Sequence, residues 1–287
     1  MRKTALAAGA AATLLLAACG GGDDTAGGNG AGGGDGADGG GGAAGSLFGD
    51  AQELAGAATQ STADRMSYTF TLTTDIGGVT ATGEGEGIHD GEDSRASVTM
   101  DMMGQQIETI SIGTTTYTKM PAEMGGDPNR PWMKMDLAED GDAAAAMLEY
   151  NDPATAMEWV EKAGEITGSE ETTLDGEQVT HYTVDLDYQK MMDDFADLTG
   201  ETPPEQLREI DATMPMEIWL NSDQLPVKLT MDMSEMMGQV AQQQGGGAEG
   251  VPDSAGMEMT YDNWGEPVDI TEPPADQVME MPTGLPN

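Results

Sequence analysis

Methionine spacing sets the period of this chain. Met100 and Met102, Met133 and Met135, Met214 and Met216, Met231 and Met233, and Met257 and Met259 are pairs two residues apart. In an extended strand that spacing puts both side chains on one face, while Asp101, Lys134, Pro215, Asp232 and Glu258 point the other way. A sheet with one thioether-lined face is therefore expected. The chain holds 23 methionines, and three explanations fit a lining of that kind. It can be a core written in Met instead of Val or Leu. It can be an adaptable surface for a mobile partner such as an acyl chain, because Met is flexible and specifies packing poorly. It can be a soft-metal site, because clustered thioethers select Cu(I), although the usual accompanying His and Cys are missing.

The alternation extends beyond methionine. Tyr68, Phe70 and Leu72 alternate with threonines, and residues 79–88 resume the pattern after Gly77-Gly78, which predicts a hairpin. Strands are expected over 96–103, 106–112, 115–120 and 132–137, each bounded by Gly, Pro or Asp. Two more, 165–173 and 178–187, flank Asp175-Gly176, a strong hairpin signal. Residues 214–220, 227–236 and 257–264 close the chain as strands. Helical spacing predicts helices over 47–65, 143–150, 188–198 and 204–211, and another running from Asp152-Pro153 to about Ala163, where Asp caps and Pro suits the first turn. The Gln- and Gly-rich stretch 239–254 reads as a loop.

The N-terminus directs the chain out of the cytoplasm. Arg2 and Lys3 precede an apolar run from Ala5 to Ala18, too short to span a bilayer comfortably, which marks residues 1–18 as a signal peptide. The run ends in Leu16-Ala17-Ala18-Cys19-Gly20, which resembles the lipobox of bacterial lipoproteins. That resemblance implies that the Cys19 thiol takes a diacylglyceryl group and anchors the protein to the outer, extracytoplasmic face of the cell membrane. Cys19 is the only cysteine, so no intramolecular disulfide can form and residues 46–287 must hold together by burial alone. One domain is expected there. Residues 19–45 are nearly all Gly, Ala and Asp and form a tether with a reach on the order of 30 Å if they behave as a Gly-rich coil.

Charge and missing motifs exclude several classes of function. With 52 Asp and Glu against 11 Lys and Arg, nucleic acid is excluded as a partner, and unaided docking to an anionic membrane is disfavoured. The acidity also suits a salt-rich habitat or scattered divalent-cation binding. His89 and His181 are the only histidines, and neither sits at metal-ligand spacing. No nucleophile elbow, phosphate loop, dinucleotide fingerprint or zincin motif is present. The acidic segment 136–142 lacks the spacing of an EF-hand loop. No catalytic residue, metal or cofactor is assigned.

A lipobox, a Gly-rich tether, an N-terminal helix, a meander interrupted by helices and closing strands together resemble the LppX and LprG type of actinobacterial lipoproteins, which share a fold with the LolA and LolB carriers. The likeness covers about Leu47 to Met281. Its most specific pieces are DGEQVTHYTVDLD at Asp175 to Asp187, MEIWLNSDQLPVKLTMDM at Met216 to Met233, and MTYDNWGEPVDITEPP at Met259 to Pro274. It implies an α+β fold, a strongly curved antiparallel sheet or half-barrel with helices packed on its concave side, and an apolar cavity that binds an acylated lipid or glycolipid. The candidate cavity wall is Leu72, Met100, Met102, Met133, Leu148, Trp159, Met216, Trp219, Met231 and Met233. The expected protein is a monomer, attached to the membrane through Cys19. A second reading keeps the fold but fills the cavity, leaving a structural or interaction lipoprotein whose acidic surface meets a protein partner.

Overall fold

The computed structural model describes residues 47–90, 93–102, 104–121, 126–136, 153–199, 203, 205–243 and 254–280. The expected helix 143–150, the candidate Leu148, the acidic segment beyond Asp136 and everything before Leu47 lie outside the described residues.

Twelve strands are present among the described residues: β1 (Ser67–Ile76), β2 (Val79–Ile88), β3 (Arg95–Met102), β4 (Gln105–Ile112), β5 (Thr115–Lys119), β6 (Trp132–Asp136), β7 (Gly164–Leu174), β8 (Glu177–Asp187), β9 (Thr213–Leu220), β10 (Pro226–Asp232), β11 (Ala255–Asp262) and β12 (Val278–Glu280). They form one open sheet in the order β12-β6-β5-β4-β3-β2-β1-β11-β10-β9-β8-β7. All neighbours are antiparallel except β12 on β6, which is parallel. The fold is α+β, a curved sheet with helices. Its centre joins distant parts of the chain, because β11 lies against β1 with Leu72 opposite Met259 and Phe70 opposite Tyr261. Edge strand β7 is blunted by a bulge between Ile166 and Gly168 and by Glu165, Glu170 and Glu171, devices that discourage pairing with another chain.

Turn chemistry explains the tight connections. Gly77 and Gly78 have φ of 61° and 79°, and Asp175 and Gly176 have 51° and 92°, the doubly positive pattern that two-residue hairpins need. Both expected hairpins are present.

The helices are α1 (Ala51–Arg65), α2 (Pro153–Ala163), α3 (Tyr188–Thr199), α4 (Glu205–Arg208) and α5 (Ser234–Gln243). Asp50 caps α1, its Oδ1 accepting from the N–H groups of Gln52 at 2.9 Å and Glu53 at 3.3 Å. The α1 stripe Ala51, Leu54, Ala55 and Ala58 is buried, and its small residues let α2 approach closely. In α2, Met157 and Val160 are fully buried. Lys162 of α2 reaches Asp194 of α3 at 2.9 Å. These helices share one apolar cluster with Tyr68, Phe70, Leu72, Tyr182, Ile218 and Met259, which defines the helix face of the sheet.

Two expectations at the C-terminal half are corrected. Residues 227–236 do not form one strand. The strand ends at Asp232, whose Oδ1 accepts from the Ser234 N–H at 2.9 Å and opens α5, so part of the expected loop 239–254 is helical up to Gln243. The expected helix 204–211 is a single turn, α4.

The segment between β11 and β12 crosses the outer face, opposite the helices. Gly265 N–H donates to the Ser67 carbonyl, and Ser67 Oγ to the Glu266 carbonyl, both at 2.8 Å. Arg95 Nη1 donates to the Ile270 carbonyl at 3.3 Å, and Tyr117 hydrogen-bonds Glu272. Ile270, Tyr117 and Trp132 are buried but stand apart from the main cluster. The strap thus ties β1, β3 and β5 together across that face.

Burial first, then the nearby Glu272 carboxylate, holds the Tyr117 phenol above its usual range near 10. Because the folded value is raised, this contribution to stability is complete below the unfolded value and is lost as pH rises through the folded one. Thermal unfolding from pH 9 to 12 is expected to show an alkaline destabilisation that Tyr117→Phe reduces. An identical pH profile in the variant would contradict this coupling.

Candidate functional site

Strand register carries the methionines into rows. Across the sheet, Val184 lies opposite Met216, Met216 opposite Met231, and Met231 opposite Met257. A neighbouring row runs Tyr182, Ile218, Leu229, Met259, Leu72, Gly83, Met100, Ile107. Both rows lie on the helix face, where the i, i+2 spacing places them.

That face has two halves of different character. Over β8–β11 and β1 it is filled: Met216 is 1% exposed, Met231 4%, Met259 2% and Leu72 6%. These methionines are core. From β3 to β6 the same face carries Ala96, Val98, Met100, Ile107, Thr109, Thr116, Thr118, Met133 and Met135, all only half-buried. The buried large residues of that half, Tyr117 and Trp132, belong to the outer face. Packing therefore changes sides along the sheet, and it leaves a half-covered apolar wall on the helix side.

Glycines mark the change. Gly83, Gly85 and Gly87 stand on the helix face of β2, and the rings of β1 lean over them. A Cβ at Gly85 would lie 2.6 Å from Phe70 Cζ, and one at Gly87 2.5 Å from Tyr68 Cζ. Tyr68 also packs against Tyr261 and Trp264, with centroids at 5.7 and 5.1 Å. This aromatic block bounds the filled half. Beyond it, Met100 Cγ lies 3.3 Å from the Cβ position of Gly83.

The wall also carries three threonines, Thr109, Thr116 and Thr118. Thr116 Oγ1 is buried and has no hydrogen-bond partner among the described residues. An unpaired buried hydroxyl is costly.

The expected wall residues separate accordingly. Met133 lies on the half-covered wall, and Met100 at its inner border, half-buried and packed against the main cluster. Met102 is in β3 opposite Ala81. Leu72, Met216 and Met231 lie in the filled half, with Met233 and Trp159 packed against its cluster. Trp219 is a correction. It lies three residues from Met216, and a strand of period two cannot put both on one face. Its indole is on the outer face, stacked on His181 at 4.4 Å and 10°, with Lys228 Nζ 5.3 Å from its centroid. His181 Nδ1 is 3.5 Å from Glu170, and Lys228 Nζ is 2.8 Å from Glu258. This outer ladder accounts for Trp219 and His181 as cross-strand packing. Sequence reasoning missed Thr116 and Met135 as wall residues, although Met135 shares the spacing that singled out Met133.

Among the described residues no group of three His, Cys, Asp or Glu is placed to hold a metal ion, and no helix is long and apolar enough to cross a membrane.

No protein-family model and no curated protein matches this chain. Solved structures do. LprF from Mycobacterium bovis is 13% identical with a TM-score of 0.45, covering 78% of this chain and 96% of its own. The Mycobacterium tuberculosis lipoprotein LppX is 12% identical with a TM-score of 0.45, covering 77% and 98%. A conserved protein from Thermus thermophilus is 9% identical with a TM-score of 0.41, covering 80% and 99%. LppX, one of the two lipoproteins of the LppX and LprG type that the order of elements resembles, thus stands among the structural neighbours.

Proposed function

We propose that this chain is a non-catalytic lipoprotein of the cell envelope that binds the acyl chain of a lipid or glycolipid against the β3–β6 half of its helix face. Residues 1–18 would be removed as a signal peptide, Cys19 would carry the membrane anchor, residues 19–45 would be the tether, and residues 46–287 one binding domain. One observation carries the reading: the tight core changes sides at β2, so Val98, Met100, Ile107, Met133 and Met135 remain half-exposed on an otherwise sealed face. An acyl chain would gain about 25 cal/mol for each Å² of apolar surface removed from water there. Flexible thioethers can follow a chain of variable shape. No covalent step is needed.

The interaction-lipoprotein reading has one observation in its favour, the filled packing of Met216, Met231 and Met259. Those residues lie on the other side of the aromatic block, so the two readings make different demands on Met100 and Met133.

Titration of a fluorescent fatty-acyl probe into the Cys19→Ala chain separates them. Met100→Asp and Met133→Asp are expected to weaken binding at least tenfold, roughly the effect of losing 1.4 kcal/mol, while Trp219→Asp on the outer face leaves it within about twofold. Equal affinity in all folded variants would remove the wall from consideration. Separately, Cys19→Ala is expected to shift the protein from the membrane fraction to the medium, and unchanged fractionation would refute the anchor.

A further inference from the structure

The end of the β1–β2 hairpin presents apolar surface where polar residues would be ordinary. Ile76 is 43% exposed and Val79 50%. They face each other as the last pair of the ladder, so the two side chains stand together. Alternation from Tyr68, Phe70 and Leu72 puts both on the helix face, the face of the candidate wall. The register ties them to it directly, because Ala81, two residues from Val79, lies opposite Met102 at the end of β3.

The tip is also braced. Gly77 N–H donates to the Ser254 carbonyl at 2.8 Å. Asp75 Oδ1 accepts from Ser254 Oγ at 2.6 Å and from Gly78 N–H at 3.4 Å, and its Oδ2 from Thr80 Oγ1 at 3.2 Å. The Ser254 hydrogen bond chiefly, with those of Thr80 and Gly78, holds the Asp75 carboxyl below its ordinary value, so the brace is in its charged form at neutral pH. A preorganised turn loses little further freedom when it meets a partner.

We infer that the Ile76–Val79 tip is a lipid-surface contact, inserting between uncharged or zwitterionic headgroups and bringing the half-covered wall to the bilayer. The inference rests on the lipid-binding reading and adds the route by which that wall meets its ligand. Two lines favour a lipid surface. The apolar pair continues the wall on the same face. The tip also carries ionised Asp75 on a chain of net charge −41, which disfavours anionic headgroups relative to uncharged or zwitterionic ones. Two aliphatic side chains are a weak anchor alone. They suffice when the domain is already held at the membrane, because the second contact is then intramolecular.

The test uses the full-length lipidated chain on phosphatidylcholine vesicles containing lipids brominated in the acyl chain, which quench indole fluorescence at depth. Ile76→Trp and Val79→Trp are each expected to add a strongly quenched component to the native tryptophans. Met66→Trp, 41% exposed and at the opposite end of β1, should add an unquenched one. In parallel, the Ile76→Ser and Val79→Ser double variant should transfer an acyl probe between vesicles several-fold more slowly with unchanged probe affinity. Tip tryptophans no more quenched than Met66→Trp would overturn the inference, as would an unchanged transfer rate. Loss of probe binding by the unsubstituted chain would instead refute the lipid-binding reading, with the quenching result still reporting on the tip.

Discussion

A sheet has two faces, and alternation along each strand obliges a sequence to supply side chains for both. This chain has only three Phe, four Trp and six Tyr for twelve strands, so it cannot seal both faces throughout. Its large buried side chains stand on a different face in each half. Over β7–β11 and β1 the apolar residues gather under α1, α2 and α3, with Val160, Val184, Leu186 and Ile218 fully buried. Over β5 and β6 the large buried residues, Tyr117 and Trp132, stand on the outer side instead. The strap is tied at Ser67, Arg95 and Tyr117 and ends as β12 on β6. The half-covered wall is what this division leaves.

Acidity follows from the same layout. The outer face of β7–β11 is a lattice of Thr, Glu and a few cations, with Lys228 paired to Glu258 and stacked over Trp219, which lies on His181. Exposed pairs of this kind contribute little stability each. Their consequence is solubility and repulsion from anionic surfaces. A chain so charged needs another means of staying at a membrane, and a lipid on Cys19 would supply it.

Much of the fold was legible because local signals carried it. Gly77-Gly78 and Asp175-Gly176 announced their hairpins, the Met pairs announced strands, and Pro153 opened a helix where it was expected. What failed was non-local or rested on short apolar runs. Met236 read as the end of a strand and Val240 as loop, yet the Asp232 side chain starts a helix there. The strap and the parallel β12 could not be read, since nothing near residues 265–280 says which face they will cross. Trp219 shows a different error: hydrophobicity was weighed before parity, although its distance of three from Met216 already opposed it. The division of the methionines into filled core and half-covered wall depends on where α1 and α2 dock, which is a tertiary fact.

The most direct test of the central claim is native mass spectrometry of the full-length Cys19→Ala chain, produced with its own signal peptide in a bacterial host, followed by organic extraction. The account predicts a reproducible acylated species bound at about one per chain, released by Met100→Asp and retained by Trp219→Asp. A clean apo mass that takes up neither phospholipid nor glycolipid would contradict it.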